Sequence, residues 1–169
     1  MTSSTLPDMQ RVMIIGCPGA GKSTFARALA EKTGLPLIHL DLIWHKPDRT
    51  HISRDEFDLR LAEILAEDRW IIDGHYSRTL APRFEACDTL FWLDLPLEEC
   101  LAGVRARIGQ HRPDMPWQET KEDPEFNEYV RAFDGENRPQ VETMLANAKN
   151  KDIRILRSRA EVDAYLAAL

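Results

Sequence analysis

Gly16-Cys17-Pro18-Gly19-Ala20-Gly21-Lys22-Ser23-Thr24 is the stretch on which the reading of this chain turns. It fits G-x-x-x-x-G-K-[ST], the pattern of a loop that cradles phosphate groups. Val12-Met13-Ile14-Ile15 before it is an apolar, β-rich run of the kind found in a buried parallel strand. Thr24 to Ala30 after it reads as a helix. Between the two, glycines let the backbone turn tightly and approach an anion closely. The free N–H groups at the helix start then face that anion, aided by the helix dipole. The pattern predicts a bound nucleoside triphosphate, with Gly16, Pro18, Gly19, Ala20, Gly21, Lys22, Ser23 and Thr24 around its phosphates. Lys22 is expected at the β- and γ-phosphates, and the Ser23 hydroxyl on Mg²⁺.

The rest of the chain bounds the context. A length of 169 residues suits one domain, and 43% hydrophobic with 30% charged residues is ordinary for a globular protein. A net charge of −6 speaks against a general nucleic-acid surface, which is normally basic. Two local basic stretches stand out: Arg105, Arg107 and Arg112 without an acid among residues 101–112, and Lys149, Lys151, Arg154, Arg157 and Arg159 against Asp152 alone. Three cysteines, with no C-x-x-C pair, point to reduced thiols. Cys17 reads as a small filler in the phosphate loop. Met1 to Gln10 lacks the apolar centre of a signal peptide, and no run reaches the ~18 apolar residues of a membrane span. A cytoplasmic location, without membrane contact, is the expectation.

Along the chain, strand-like and helix-like runs alternate, which predicts an α/β fold with a parallel sheet covered on both faces. Further strands are expected at Leu37–Leu40, ending at Asp41, and at Trp70–Asp73, Thr89–Leu93 and Ile153–Leu156. Ser53-Arg54-Asp55-Glu56 and Ser158-Arg159-Ala160-Glu161 fit capping boxes that open helices. Pro96 suits the first turn of a helix reaching about Gly109, with Asp94 placed to serve the helix start. Residues 110–124 hold three prolines and read as a loop; separate helical runs follow near 125–133 and 138–148.

In such sheets ligands sit beyond the carboxyl ends of the strands, where the phosphate loop, Asp41, Asp73 and Asp94 all fall. Phosphoryl transfer asks for positioning and charge neutralisation more than for covalent chemistry. Asp73 ends an apolar strand as a Mg²⁺-holding acid does, or else caps an Asp-Gly turn. Asp41 is placed to act as base toward an acceptor hydroxyl, to contact acceptor or metal, or to cap local N–H groups. Arg78 follows the Asp73-Gly74 turn and could meet an acceptor. Arg105 and Arg112, with Arg107, lead into the proline-bearing loop and are candidates for a lid that closes over the transferring phosphoryl group.

Taken together, Ile14–Thr24, His39-Leu40-Asp41-Leu42-Ile43-Trp44, Arg69–Ser77, Phe91-Trp92-Leu93-Asp94-Leu95-Pro96, Arg112-Pro113-Asp114 and Leu156–Arg159 resemble the adenylate-kinase-like P-loop kinases of the nucleoside monophosphate kinase group. Within it the chain is most similar to the bacterial topology modulation proteins (FlaR-related). The resemblance implies a P-loop NTPase fold of five parallel strands in the order 2-3-1-4-5, flanked by helices, in one unit over 1–169 with a short helical lid at about 105–137. It implies ATP and Mg²⁺ as cofactors, with Ser23 and Asp73 at the metal and Lys22, Asp41, Asp73, Arg105 and Arg112 as catalytic residues. It also implies a small-molecule phosphoryl acceptor: a nucleotide, a nucleoside or another hydroxyl compound. Where adenylate kinases carry Asp-Gly-Phe-Pro-Arg, this chain reads Asp73-Gly74-His75-Tyr76-Ser77-Arg78, so the arginine is displaced by one residue. The rival reading is a nucleotide-dependent regulator whose basic stretch from Lys149 to Arg159 meets a macromolecule.

Overall fold

The structure, a computed structural model, describes residues 8–169. The signal-peptide reading of the first seven residues therefore lies outside the described residues. Five strands make one sheet: β1 (Arg11–Gly16), β2 (Leu37–His39), β3 (Trp70–Asp73), β4 (Thr89–Leu93) and β5 (Asp152–Leu156). All pairings are parallel and the order is β2-β3-β1-β4-β5. This is the P-loop NTPase arrangement that the resemblance implies. β1 lies in the middle, and Val12, Met13, Ile14 and Ile15 are fully buried. Their side chains alternate between faces, so Val12 and Ile14 enter one core with Phe25, Leu29 and Phe91, while Met13 and Ile15 enter the other with Phe57, Leu80 and Trp92. A strand buried on both faces must be apolar throughout, which is why this run carries no polar residue.

The helices are α1 (Lys22–Thr33), α2 (Leu40–Trp44), α3 (Arg54–Leu65), α4 (Leu80–Ala86), α5 (Leu97–Ala106), α6 (Pro124–Ala146) and α7 (Arg159–Ala168). Ser53 caps α3 and Ser158 caps α7, each accepting from the backbone N–H three residues on, at 3.1 Å. In the second box Glu161 reaches one residue further back than the motif requires, to the N–H of Arg157.

Several elements differ from expectation. Leu40 begins α2 rather than ending β2: its side chain is fully buried, and Asp41 then sits in a first helical turn, where the dipole favours an acid. The short α4 is not signalled, because Pro82 masks it; at the third helical position that proline removes no needed N–H. The two runs expected at 125–133 and 138–148 are one 23-residue helix, α6, continuing through Gly135 and Pro139 because Asn127, Val130, Phe133 and Val141 bury one stripe along it. Of the lid expected at about 105–137, residues 107–123 form turns and bends between α5 and α6, and residues 124–137 are the first part of helix α6. Asp94 does not serve the start of α5, where Pro96 is the capping position. Its carboxylate instead accepts from Arg138 at 2.5 Å and Arg157 at 3.1 Å.

Among the described residues, no helix is long and apolar enough to cross a membrane.

Candidate active site

The carboxyl ends of β1, β2 and β3 open into one cleft of about 1270 Å³. The phosphate loop forms its floor. Gly19 and Gly21 both have positive φ, +83° and +92°, a conformation that favours glycine. A Cβ on Gly19 would stand 2.0 Å from the Cys100 carbonyl, and one on Gly103 would stand 2.1 Å from the Gly19 carbonyl. The loop therefore lies backbone to backbone against α5. Cys17 packs into the core beside it; the neighbouring Cys100 thiol and burial push its own thiol far up, away from reactivity. From the other side Arg159 of α7 donates to the Ala20 carbonyl at 3.2 Å.

Lys22 is turned onto the loop itself, with Nζ donating to the Cys17 carbonyl at 2.9 Å. Burial pushes its pKa down, while the charge of Asp73 acts in the opposite direction. Ser23 Oγ lies 2.8 Å from Asp73 Oδ2 and 3.0 Å from Oδ2 of Asp114. His39 Nδ1 lies 2.7 Å from the same Asp73 Oδ2, and an ionised carboxylate can only accept, so Nδ1 carries the proton. Asp73 Oδ1 is buried and has no partner. A buried carboxylate oxygen without a donor is costly, and a hard cation is the group it suits. The residues thus fit Mg²⁺, with the Ser23 hydroxyl and the Asp73 carboxylate as its ligands, directly or through water. Among the described residues no group of three or more His, Cys, Asp or Glu side chains forms a metal cage. Mg²⁺ sites of this kind draw the remaining ligands from phosphate and water.

Over this floor lies the 107–123 segment. Arg107 pairs with Glu119 at 3.4 Å; Arg112 pairs with Glu119 at 3.7 Å and with Asp114 at 2.6 Å. Arg27 of α1 faces Asp114 at 3.7 Å. Burial raises the Asp114 carboxyl pKa, but the Arg112 charge and hydrogen bonds from Arg112 and Ser23 outweigh it and hold the group below the usual range. Arg112 and Arg107 line the cleft, whereas Arg105 does not: it points outward on α5, 60% exposed, opposite Glu122. The helical period accounts for this, since residues 105 and 107 cannot share a face. Arg131 and Arg138 pair with Glu128 and with Asp94 and Asp134 and do not line this cleft.

The other half of the cleft is aromatic and cationic. Tyr76 donates to Asp41 Oδ1 at 2.6 Å; burial and the Asp41 charge push the phenol far up, so it remains a donor. Phe57 stacks on Tyr76, and Trp44 stacks on His51 at 4.3 Å. Trp117 of the lid segment meets His45 edge-on at 4.8 Å, so the segment reaches across this half as well. Arg49, Arg54 and Arg78 line it, Arg78 at the rim in a two-pronged bond to Asp58.

Beneath, Arg83 is fully buried and, among the described residues, pairs with no carboxylate within 4.0 Å. Its guanidinium donates to the carbonyls of Gly74 and Thr79 at 2.8 and 3.2 Å, and to those of His75 and Tyr76. Burial brings its pKa down to about 9, so it stays charged at neutral pH. It holds the 74–76 loop in shape, including Tyr76 at a φ of 40°. His75, 8% exposed, is driven down to about pKa 3 by burial and by the charges of Lys22 and Arg83.

Sequence reasoning missed Arg83, Asp114, Tyr76 and His39 as parts of this arrangement. His39, Tyr76 and Asp114 each lie in a segment that carries the resemblance, without a role assigned to them there, and nothing in the sequence marks Arg83. The basic stretch near the C-terminus is largely engaged within the chain. Lys151 donates to the Cys87 carbonyl, Arg154 pairs with Asp152, Arg157 with Asp94, and Arg159 with the phosphate loop.

A family model described as "AAA domain" matches residues 12–128. The adenylate kinase of Thermotoga neapolitana is 31% identical over 88 residues, 51% of this chain. The match spans 39% of that relative's length. Among solved structures, a shikimate kinase from Acinetobacter baumannii in complex with shikimate is similar with a TM-score of 0.63 and 18% identity, covering 95% of this chain and 90% of that one. A shikimate kinase from Bacteroides thetaiotaomicron gives 0.64 and 18%, covering 94% and 95%. A deoxyadenosine kinase from M. mycoides with bound dCTP gives 0.51 and 11%, covering 92% and 96%. At these identities the likeness is one of fold.

Proposed function

The chain belongs to the AAA domain family, and from that premise we propose that it is an ATP-dependent small-molecule kinase of the adenylate-kinase-like group. The observation that carries this reading is one cleft with two different halves. A phosphate loop with Lys22, Ser23 and Asp73 faces an aromatic and cationic wall built from Asp41, Trp44, Phe57, Tyr76 and Arg54. A hydrolase needs only the first half. The second half suits an acceptor with a planar ring and an anionic group, which ranks a nucleotide first, a nucleoside second and another hydroxyl compound third.

In this reading the backbone of Gly19 to Thr24 binds the ATP phosphates, and Lys22 leaves the Cys17 carbonyl to meet the transferring group. Ser23 and Asp73 would hold Mg²⁺, which when bound would supply charge neutralisation on the phosphates. Arg107 and Arg112 give up Glu119 for phosphoryl oxygens as the 107–123 segment closes and excludes water, while Arg112 keeps Asp114. Tyr76 fixes Asp41. Where the acceptor is a hydroxyl, Asp41 takes its proton as the acceptor oxygen bonds to the γ-phosphorus and ADP leaves. Arg105, on the outer side of α5, has no part here. Within the P-loop kinases we place the chain nearest the bacterial topology modulation proteins, on the His39–Trp44 and Asp73–Ser77 segments, and we read any effect on DNA topology as indirect. A cytoplasmic protein is consistent with this use of ATP.

The test is ADP release from Mg-ATP, with and without nucleoside monophosphates, nucleosides and small hydroxy compounds. One class should stimulate turnover at least tenfold, and Lys22→Ala should abolish it. Turnover that survives Lys22→Ala would refute the mechanism.

A further inference from the structure

We infer that Asp114 is a cation ligand carried on the 107–123 segment, completing with Ser23 and Asp73 the site for the nucleotide's divalent cation, so that cation binding and closure of the segment are one event. This rests on the reading of the cleft as a Mg-ATP site and adds to it a residue and a coupling.

Ser23 has one hydroxyl proton, yet carboxylate oxygens of Asp73 and Asp114 stand 2.8 and 3.0 Å from its Oγ. It can donate to one of them only, and the other then meets a lone pair. Asp73 Oδ2 already accepts from His39, while Oδ1, buried beside it, has no partner at all. Charge is uneven across the pair: Arg112 and Arg27 stand on Asp114, while among the described residues no lysine or arginine pairs with Asp73. The nearest lysine, Lys22, directs its ammonium at the Cys17 carbonyl. Mg²⁺ binds through one or two carboxylates together with phosphate oxygens and water, and these two carboxylates with the Ser23 hydroxyl supply that protein share.

The Asp114 carboxylate is also held in place. It is 2% exposed, although it lies in a segment of turns. Arg112 at 2.6 Å and Arg27 at 3.7 Å fix it, as outer partners fix ligating carboxylates. Arg112 and Arg107 share Glu119, which ties the aim of Asp114 to the segment as a whole. A cation that takes Asp114 therefore fixes the segment and brings both arginines over the phosphates.

The opposite possibility is that Asp114 is a plug that the cation must displace, and the two predict opposite signs. Mn²⁺ binding is measured by electron paramagnetic resonance at saturating adenylyl imidodiphosphate, in the full chain and in Asp114→Asn, each with its thermal unfolding recorded. Mn²⁺ should bind at least tenfold more weakly to the variant, while nucleotide affinity in EDTA changes less than twofold. Unchanged or tighter Mn²⁺ binding overturns the inference. Should the variant not fold, amide hydrogen exchange of residues 107–123 in the unaltered chain decides: exchange should slow with nucleotide plus Mn²⁺ and not with nucleotide alone, and equal protection without the cation overturns the proposal. If the unaltered chain binds no nucleotide, the reading of the cleft itself fails, a result distinct from either.

Discussion

His75 and Arg83 lie under the acceptor half of the cleft, and each is costly to bury. Arg83 is kept because its guanidinium serves four backbone carbonyls, of which that of Tyr76 also accepts from the Thr79 N–H and hydroxyl; removing one side of such an arrangement leaves unsatisfied polar groups in the interior. His75 has both ring nitrogens buried without a partner, and its pKa lies near 3 where the unfolded chain's is 6.5. A folded-state pKa below the unfolded one means that the unfolded chain takes up the proton first. Stability from this residue is therefore complete above pH 6.5 and is lost as pH falls from there toward 3. By pH 5 the loss is about 2 kcal/mol. Urea unfolding at pH 7.5 and pH 5 should show the natural chain losing about that much more than His75→Asn. Equal losses would mean that His75 is not buried as a neutral ring. His45, whose pKa burial also lowers, is present in both proteins and cancels. The burial of these residues is not legible in the sequence: His75 stands out there only as the one histidine next to the Asp73-Gly74 turn, and Arg83 is one charge among many. Lys22, Ser23, Asp41 and Asp73 are legible, because each sits at a strand end or in a motif whose spacing has a physical cause.

Between elements, the decisive contact is that of the phosphate loop with α5. Gly103 is a helical glycine, and alanine in such a place normally stabilises a helix by about 1 kcal/mol. Here its Cβ would stand 2.1 Å from the Gly19 carbonyl, so the loop or the helix must move. Gly103→Ala should therefore weaken ATP binding at least tenfold, about 1.4 kcal/mol, by displacing the loop. Gly135, in α6, has nothing within 4 Å of the place a Cβ would take, so Gly135→Ala should leave ATP binding unaltered and raise the unfolding midpoint slightly. Nucleotide titrations with the two variants give the answer, and equal affinities in both would contradict the close packing. The strands are readable from apolar runs closed by Asp or Gly. Helix α6 is not readable as continuous, because local rules treat Gly135 and Pro139 as breakers while its buried stripe holds it together. The course of the 107–123 segment cannot be read from sequence at all, since ion pairs among residues of mixed sequence separation fix it.

At the scale of the molecule, one parallel sheet presents three strand ends to one cleft, and the charges are distributed to match. The chain is acidic overall, with −6 at neutral pH, yet the cleft carries Lys22, Arg107 and Arg112 around the phosphate loop. The cationic groups of the cleft favour an anionic ligand there. The C-terminal basic stretch does not change this balance, because Arg154, Arg157 and Arg159 have partners within the chain. The proposed function has two substrates meeting in a cleft whose halves differ in this way, which makes transfer to an acceptor the central claim. The most direct measurement follows the γ-phosphoryl group itself. ATP labelled at the γ-phosphorus is incubated with the protein and a mixture of nucleoside monophosphates, nucleosides and small hydroxy compounds, and the products are separated. Label should appear on one acceptor class and be lost with Lys22→Ala, and, where that class accepts at a hydroxyl, with Asp41→Ala as well. Label recovered only as inorganic phosphate, at a rate no acceptor alters, would contradict transfer.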